Sequence, residues 1–187
     1  SEIVDNEEDV VYDVYFVVDS VPDRIGGAEK YYKSAKTKVN IDHHITNKGS
    51  GDVCYIDAAA SSASELVYDL IKEADPEGEF MDEALAKTLY LGIIQDCGVF
   101  GYSNTSPKTL RIAADLISYG FDFPKLIDET FYEKTFLQNK VLGEALRKSV
   151  LCLSGQFVYS ILTREDMNRL GAGDHDFEGI VNQLRYT

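Results

Sequence analysis

The stretch Val39-Asn40-Ile41-Asp42-His43-His44 sets a carboxylate and two imidazoles at the end of a short apolar run, and two of the chain's three histidines stand there side by side. Two other apolar runs end in a similar way. Asp13-Val14-Tyr15-Phe16-Val17-Val18 leads into Asp19-Ser20, and Leu89-Tyr90-Leu91-Gly92-Ile93-Ile94 leads into Gln95-Asp96-Cys97-Gly98. Each run thus delivers a carboxylate, and one adds a histidine pair. Oxygen and imidazole donors in combination suit Mn²⁺, Fe²⁺ or Zn²⁺ better than Ca²⁺. Taken singly, each residue has an ordinary explanation, because an aspartate that closes a strand commonly bonds nearby backbone N–H groups in a turn or cap. The combination is what favours a metal site.

Positioning such a set requires strands that end together, since ligands of an open parallel sheet gather just beyond the carboxyl ends of its strands. Residues 13–18 and 37–42 read as strands, the first as a buried one rich in β-branched and aromatic residues. Residues 27–36 form a short helix or crossover between them, expected to be right-handed. Gly49-Ser50-Gly51-Asp52 marks a turn before a short strand over 53–56. Ser62-Ala63-Ser64-Glu65 has capping-box spacing and opens a helix carrying Leu66, Leu70 and Ile71. The spacing of Ala84, Leu85, Thr88, Leu89 and Leu91 predicts a helix over 82–95, so Asp96 sits at a helix end rather than a strand end. Ser106-Pro107 starts another helix, closed by Gly120. Residues 123–148 read as further helices, 150–153 and 157–163 as a hairpin around Ser154-Gly155-Gln156, Thr163 to Gly171 as a short helix, and 176–185 as a last one. Residues 1–10 are acidic and polar and read as a loose lead-in. The fold class is α/β, with a parallel sheet and flanking helices over 1–130, a helical linker over 131–149, and part of a small α/β domain over 150–187.

Asp42-His43-His44 after its Val-Asn-Ile strand resembles the signature of the DHH phosphoesterase superfamily. Val18-Asp19-Ser20 and Asp96-Cys97-Gly98-Val99-Phe100 resemble that superfamily's second and fourth motifs. Tyr102-Ser103-Asn104-Thr105-Ser106-Pro107, before a helix, resembles the branch of bacterial oligoribonucleases and 3′-phosphoadenosine 5′-phosphate phosphatases often called nanoRNases. The resemblance runs over nearly the whole chain, so 1–130 would be the DHH domain and 150–187 the beginning of a DHH-associated, substrate-binding domain.

The resemblance implies a two-metal phosphoesterase dependent on Mn²⁺, with Mg²⁺ or Co²⁺ as alternatives. Two ions about 3.5–4 Å apart generate a hydroxide and clamp the attacking and leaving oxygens of a phosphodiester. Asp19 would bridge both ions, and His43 and Asp96 would bind one of them. His44 would contact the substrate phosphate or assist the leaving group, while Asp42 would orient the histidines. Arg24, in the loop after the first strand, is a candidate phosphate contact, with a surface arginine paired to Asp23 as the plain alternative. Ser61 and Ser62 stand at a helix N-terminus that could hold an anion, with simple capping as theirs. The implied substrates are short oligoribonucleotides, 3′-phosphoadenosine 5′-phosphate, or a linear or cyclic dinucleotide. The superfamily's first motif, a histidine followed by two aspartates, should precede Asp19 by several dozen residues. The chain therefore reads as the interior of a longer protein and is expected to be inactive, or nearly so, by itself. A second reading is a degenerate DHH module that binds a nucleotide without hydrolysing it. Pyrophosphatase activity is a lesser alternative.

Composition bounds these readings. With 18 Lys and Arg against 32 Asp and Glu, the net charge is −14, whereas a duplex nucleic-acid binder advertises a basic face. A small phosphorylated substrate or very short RNA fits better. The chain contains no apolar run of membrane-spanning length and no secretory leader, so it reads as cytoplasmic. The resemblance allows a homodimer. Cys54, Cys97 and Cys152 lack C-x-x-C spacing, which argues against a disulfide framework or structural zinc. Cys97 invites a nucleophile reading, but nothing in the sequence supplies an activating base. Asp174-His175-Asp176 could be a second metal cluster and reads better as a solvated helix start.

Overall fold

A computed structural model describes residues 10–177 and 179–185. The lead-in expected over 1–10 lies, but for Val10, outside the described residues. The chain divides into two compact units, the first ending at Ile127 and the second beginning at Asp128.

The first unit is built on three parallel strands, β1 (Val14–Val18), β2 (Thr37–Asp42) and β3 (Val53–Ile56), in the order β1-β2-β3. Pairing of Val18 with Ile41 and of Asp42 with Ile56 ends the strands together, so Asp19 emerges beside Asp42. This register makes one site of two sequence motifs. The crossover from β1 to β2 contains two short 3₁₀ turns and helix α1 (Glu29–Ser34). Val17 is buried, but Val14, Phe16 and Val18 are 46%, 57% and 44% exposed. The strand is therefore buried on one face only, as alternation along an edge strand allows.

Helix α2 (Ala63–Ala74) packs on β2, and α3 (Glu83–Asp96) packs against both α2 and α4 (Pro107–Ile117). Each start has a local cause. The Ser62 hydroxyl accepts from the Glu65 N–H, the Asp82 carboxylate from the Leu85 N–H, and Ser106 and Thr109 form a capping box behind Pro107; these bonds satisfy amides that the first helical turn leaves unpaired. Ile41, Ala60 and Leu66 form a buried cluster with Val39, Tyr55 and Val67 against it, tying β2 to α2. At the α2–α3 contact a Cβ on Gly92 would lie 2.0 Å from Ser64 Oγ and 3.0 Å from Ser64 Cβ, so any larger residue there would force Ser64 to move. The short α5 (Phe123–Ile127) closes the unit.

The second unit begins with one π-helical turn, Asp128–Tyr132, where a regular helix was expected. Then follow α6 (Phe136–Arg147), the antiparallel hairpin of β4 (Val150–Cys152) and β5 (Phe157–Tyr159), α7 (Arg164–Leu170) and α8 (Ile180–Arg185). Strand β5 stops at Tyr159, short of the expected Thr163. The last helix is also shorter than expected: a 3₁₀ turn occupies Asp174–Phe177, and Gly179, at φ 77°, separates it from α8. Val141, Ala145 and Ile180 form the core here, with Leu137, Leu162 and Phe177 around them. Among the described residues no helix is long and apolar enough to cross a membrane.

Candidate metal centre

Asp19 follows β1 directly and adopts φ 59°, while its N–H still donates to Ile41 O at 2.9 Å. Positive φ is uncommon outside glycine and is tolerated by aspartate. The chain turns off the sheet there and leaves the carboxylate 48% exposed. Asp42 ends β2 and is 1% exposed, and its two histidine neighbours follow it off the strand.

The side chains converge. His43 Nε2 lies 3.4 Å from both an Asp19 oxygen and an Asp96 oxygen, and His44 Nδ1 lies 3.7 Å from Asp19. Ligand atoms of Asp19, Asp42, His43 and His44 all lie within 4.8 Å of one another. The other nitrogen of His43, Nδ1, faces Ala60 O at 3.4 Å. A proton on Nδ1 leaves the Nε2 lone pair directed at the two carboxylates, the tautomer a metal ligand needs.

Within this set Asp42 differs from the rest. One of its oxygens accepts the His43 and His44 N–H groups at 2.7 and 3.1 Å and faces His44 Nδ1 at 2.7 Å, while the other accepts Asn47 Nδ2 at 2.6 Å. Burial pushes its pKa up, but the bonds from Asn47 and the two histidines more than offset this and hold it below the ordinary value. Both of its oxygens already accept bonds from protein donors, which suits it to orienting the histidines. The Asp42 bond in turn raises the pKa of His44, with burial opposing and Asp19 and Asp96 reinforcing it. Asp96, at the end of α3 and 30% exposed, is pushed up by burial and then by the charge of Asp19. A cation between the two carboxylates would offset the Asp19 charge that Asp96 faces. Asp19, Asp96 and His43 are therefore a donor set that fits a divalent metal, with His44 adjoining.

A cleft of about 190 Å³ opens beside them, lined by Asp19, Ser20, Arg24, His44, Thr46 and Asn47, together with Val21 and Asp42. Arg24 thus stands in the same cleft as His44. Ser61 and Ser62 do not line it. Both are fully buried, Ser61 Oγ donating to Glu65 at 2.6 Å and Ser62 Oγ accepting the Glu65 N–H at 3.1 Å. Cys97 is fully buried, and burial pushes its thiol up, away from the thiolate a nucleophile requires. His175 is exposed, on the 3₁₀ turn of the second unit.

Three residues to which the sequence reading gave no role also shape the site. Asn47 and Asn40 are buried beneath Asp42, and Asn104 donates to Asp96 O at 3.2 Å and to Ser61 O at 2.9 Å. A signal for Asn40 was present: an amide between Val39 and Ile41, two residues before Asp42, must share that residue's face of the strand. Beyond Asp96 the backbone makes a left-handed turn through Gly98, Val99 and Phe100, at φ 56°, 51° and 64°. The Tyr102 ring lies so close to Gly98 that a Cβ there would meet it at 2.5 Å.

Residues 2–93 match the DHH family, N-terminal domain. Over that stretch the chain belongs to the DHH family. That match contains Asp19 and Asp42-His43-His44 and stops three residues short of Asp96, so the grouping of Asp96 with them rests on the distances above. The DHH chain is similar to the bifunctional oligoribonuclease and PAP phosphatase NrnA of Bacillus subtilis, at 35% identity over 106 residues, 57% of this chain and 34% of that one. It is also similar to the protein of the same name from Thermus thermophilus, at 29% identity over 150 residues, 80% of this chain and 43% of that one. These alignments span well under half the length of either relative. An exopolyphosphatase-related protein from Bacteroides fragilis shares the fold, with a TM-score of 0.81 at 24% identity over 91% of this chain and 50% of that one.

Proposed function

We propose that this DHH chain carries the metal-binding centre of a Mn²⁺-dependent phosphoesterase acting on short oligoribonucleotides, 3′-phosphoadenosine 5′-phosphate, or a linear or cyclic dinucleotide. The observation that carries the reading is the convergence of Asp19 and Asp96 on one nitrogen of His43, both at 3.4 Å, beside an open polar cleft. The names of the B. subtilis and T. thermophilus relatives support the substrate class, and the net charge of −14 favours small phosphates over duplexes.

Asp19, His43 and Asp96 would hold the ions, and Asp19 would serve both. A bound divalent pair supplies a hydroxide near neutral pH and offsets charge on the phosphate. Arg24 would pair with a phosphate oxygen from the side of the cleft, where a guanidinium offers two parallel donors. His44, with Nδ1 held by Asp42, keeps Nε2 for the substrate and would pass a proton to the leaving oxygen. Ser61 and Ser62 would serve by fixing the start of α2 rather than by touching phosphate. The proposed substrates also underlie a proposed cytoplasmic location.

Release of mononucleotide from an RNA dinucleotide, with Mn²⁺ and with chelator, tests this in the full-length protein and in its His43→Ala variant. Metal-dependent release that disappears in the variant is the expected result. A folded protein that binds the dinucleotide and releases nothing would instead be a nucleotide-binding module.

A further inference from the structure

We propose that Asn40 and Asn47 form a buried amide relay that fixes the Asp19 turn and the Asp42–His44 pair in one geometry, making both asparagines positioning residues. The inference rests on the metal-centre reading above. Because side chains alternate along a strand, Asn40 and Asp42 share one face of β2, and they are 0% and 1% exposed. Asn47 reaches back from the loop after the histidines and bridges them. Its Nδ2 donates to Asn40 Oδ1 at 3.0 Å and to Asp42 at 2.6 Å, while its Oδ1 accepts the Gly49 N–H at 2.8 Å.

The partners dictate every direction in this chain. The Gly49 N–H can only donate and the Asp42 carboxylate can only accept, so the Asn47 amide has one orientation. Asn40, receiving from Asn47 at Oδ1, must turn Nδ2 the other way. It donates there to Val17 O at 3.2 Å and Ser20 O at 2.9 Å, the carbonyls that bracket Val18 and Asp19. One end of the relay therefore grips the turn presenting the Asp19 carboxylate, and the other grips the carboxylate that holds His44.

Burying two amides and a carboxylate beside Val39 and Ile41 carries a desolvation penalty that an apolar residue at 40 would not. The relay joins two carboxyl-terminal strand ends that the sheet's own hydrogen bonds leave free to diverge beyond the Asp19–Ile41 pair. A network satisfied at every member is rigid, and losing one member leaves several buried groups unpaired at once.

The test compares wild type with Asn40→Ala and Asn47→Ala in the full chain. Folding is followed by circular dichroism and thermal melting, metal-free His44 imidazole and Asp19 and Ser20 amide signals by ¹⁵N NMR, and Mn²⁺ affinity by EPR titration. Neither asparagine belongs to the proposed ligand set, so the expected result is a 10–100-fold loss of Mn²⁺ affinity, as for other residues that orient ligands. Asn40→Ala should also displace the Asp19 and Ser20 amides, and Asn47→Ala should release the His44 ring from a single tautomer. Folded variants that bind Mn²⁺ within twofold of wild type and leave those signals in place would overturn the relay, whatever they lose in melting temperature. Should the alanine variants not fold, the isosteric Asn40→Asp decides. Its added charge alone would strengthen cation binding, so weaker binding supports the relay and equal or tighter binding overturns it. A wild type that binds no Mn²⁺ refutes the metal reading but not the relay, which the metal-free spectra then judge.

Discussion

Asp42 and His44 are joined by a 2.7 Å contact between a carboxylate oxygen and Nδ1, and the carboxylate is buried while the imidazole is 55% exposed. The buried partner fixes which nitrogen of the exposed one is left for chemistry. A histidine oriented by a buried carboxylate is a common arrangement for acid–base work, because the carboxylate sets tautomer and rotamer together.

Asp42→Asn should therefore damage the site more than its size suggests. An asparagine offers one acceptor atom where the carboxylate offers two, and its NH₂ group would meet donors from Asn47 or the histidine backbone. We expect turnover to fall 10–100-fold and stability by about 1–3 kcal/mol, the usual consequence of leaving buried donors unpaired. Unchanged turnover in a well-folded Asp42→Asn protein would falsify the orienting role.

Asp19→Ala and His43→Ala should remove metal binding while leaving the protein folded. Asp19 is half exposed and gives up little packing, whereas the His43 side chain is only 15% exposed, so His43→Ala should also lower the melting temperature. A direct ligand matters more than a residue that orients one, so Mn²⁺ affinity should drop by more than about 100-fold. Calorimetric titration of Mn²⁺ into each variant, alongside its melting curve, separates the two effects. Retained Mn²⁺ affinity would move the metal elsewhere.

Much of this site could be read along the chain because its chemistry lies in short runs. Asp42-His43-His44 is contiguous, Asp19 closes a strand pattern, and Ser62, Ser106 and Thr163 begin helices through bonds to residues three positions away. What escaped the sequence depends on contacts between distant segments. Asn40 gains its role from carbonyls about twenty residues earlier and Asn104 from Ser61 forty-three residues earlier. The one-sided burial of β1 likewise depends on its edge position, which composition does not record. Ser61 and Ser62, phosphate candidates by their place at a helix N-terminus, are bound instead to Glu65; the Ser62 cap is legible in the spacing, whereas the Ser61 bond is not.

Gly92 is the residue through which α3, and hence Asp96, keeps its distance from α2. Alanine there gains about 1 kcal/mol of helix propensity. Its Cβ would nevertheless lie 2.0 Å from Ser64 Oγ and 3.0 Å from Ser64 Cβ, and overpacking of that kind costs about 1–3 kcal/mol. Set against that gain, the clash should leave a net loss of up to about 2 kcal/mol. Denaturant melts should show part of this loss recovered when Gly92→Ala is combined with Ser64→Ala. A Gly92→Ala protein as stable as wild type would mean that the helices separate freely.

Glu65 should make the first unit sensitive to acid. Its carboxylate is almost wholly buried and accepts Ser61 Oγ at 2.6 Å and Thr109 Oγ1 at 2.9 Å, with Lys108 Nζ at 3.2 Å, so it ties α2 to the start of α4. Burial raises its pKa, but the bonds from Ser61, Thr109 and Lys108 outweigh burial and hold it below the ordinary 4.5. A carboxyl with a depressed folded pKa contributes stability that is complete above its unfolded value. That contribution is lost as pH falls through the folded value. The melting-temperature gap between wild type and Glu65→Gln should therefore be constant near neutrality and shrink on the acid side of pH 4.5. At neutral pH the variant should be about 1–3 kcal/mol less stable, because an amide cannot accept all the bonds the carboxylate does. A gap that stays the same from neutrality down to strong acid would show that Glu65 is not held as the charged form.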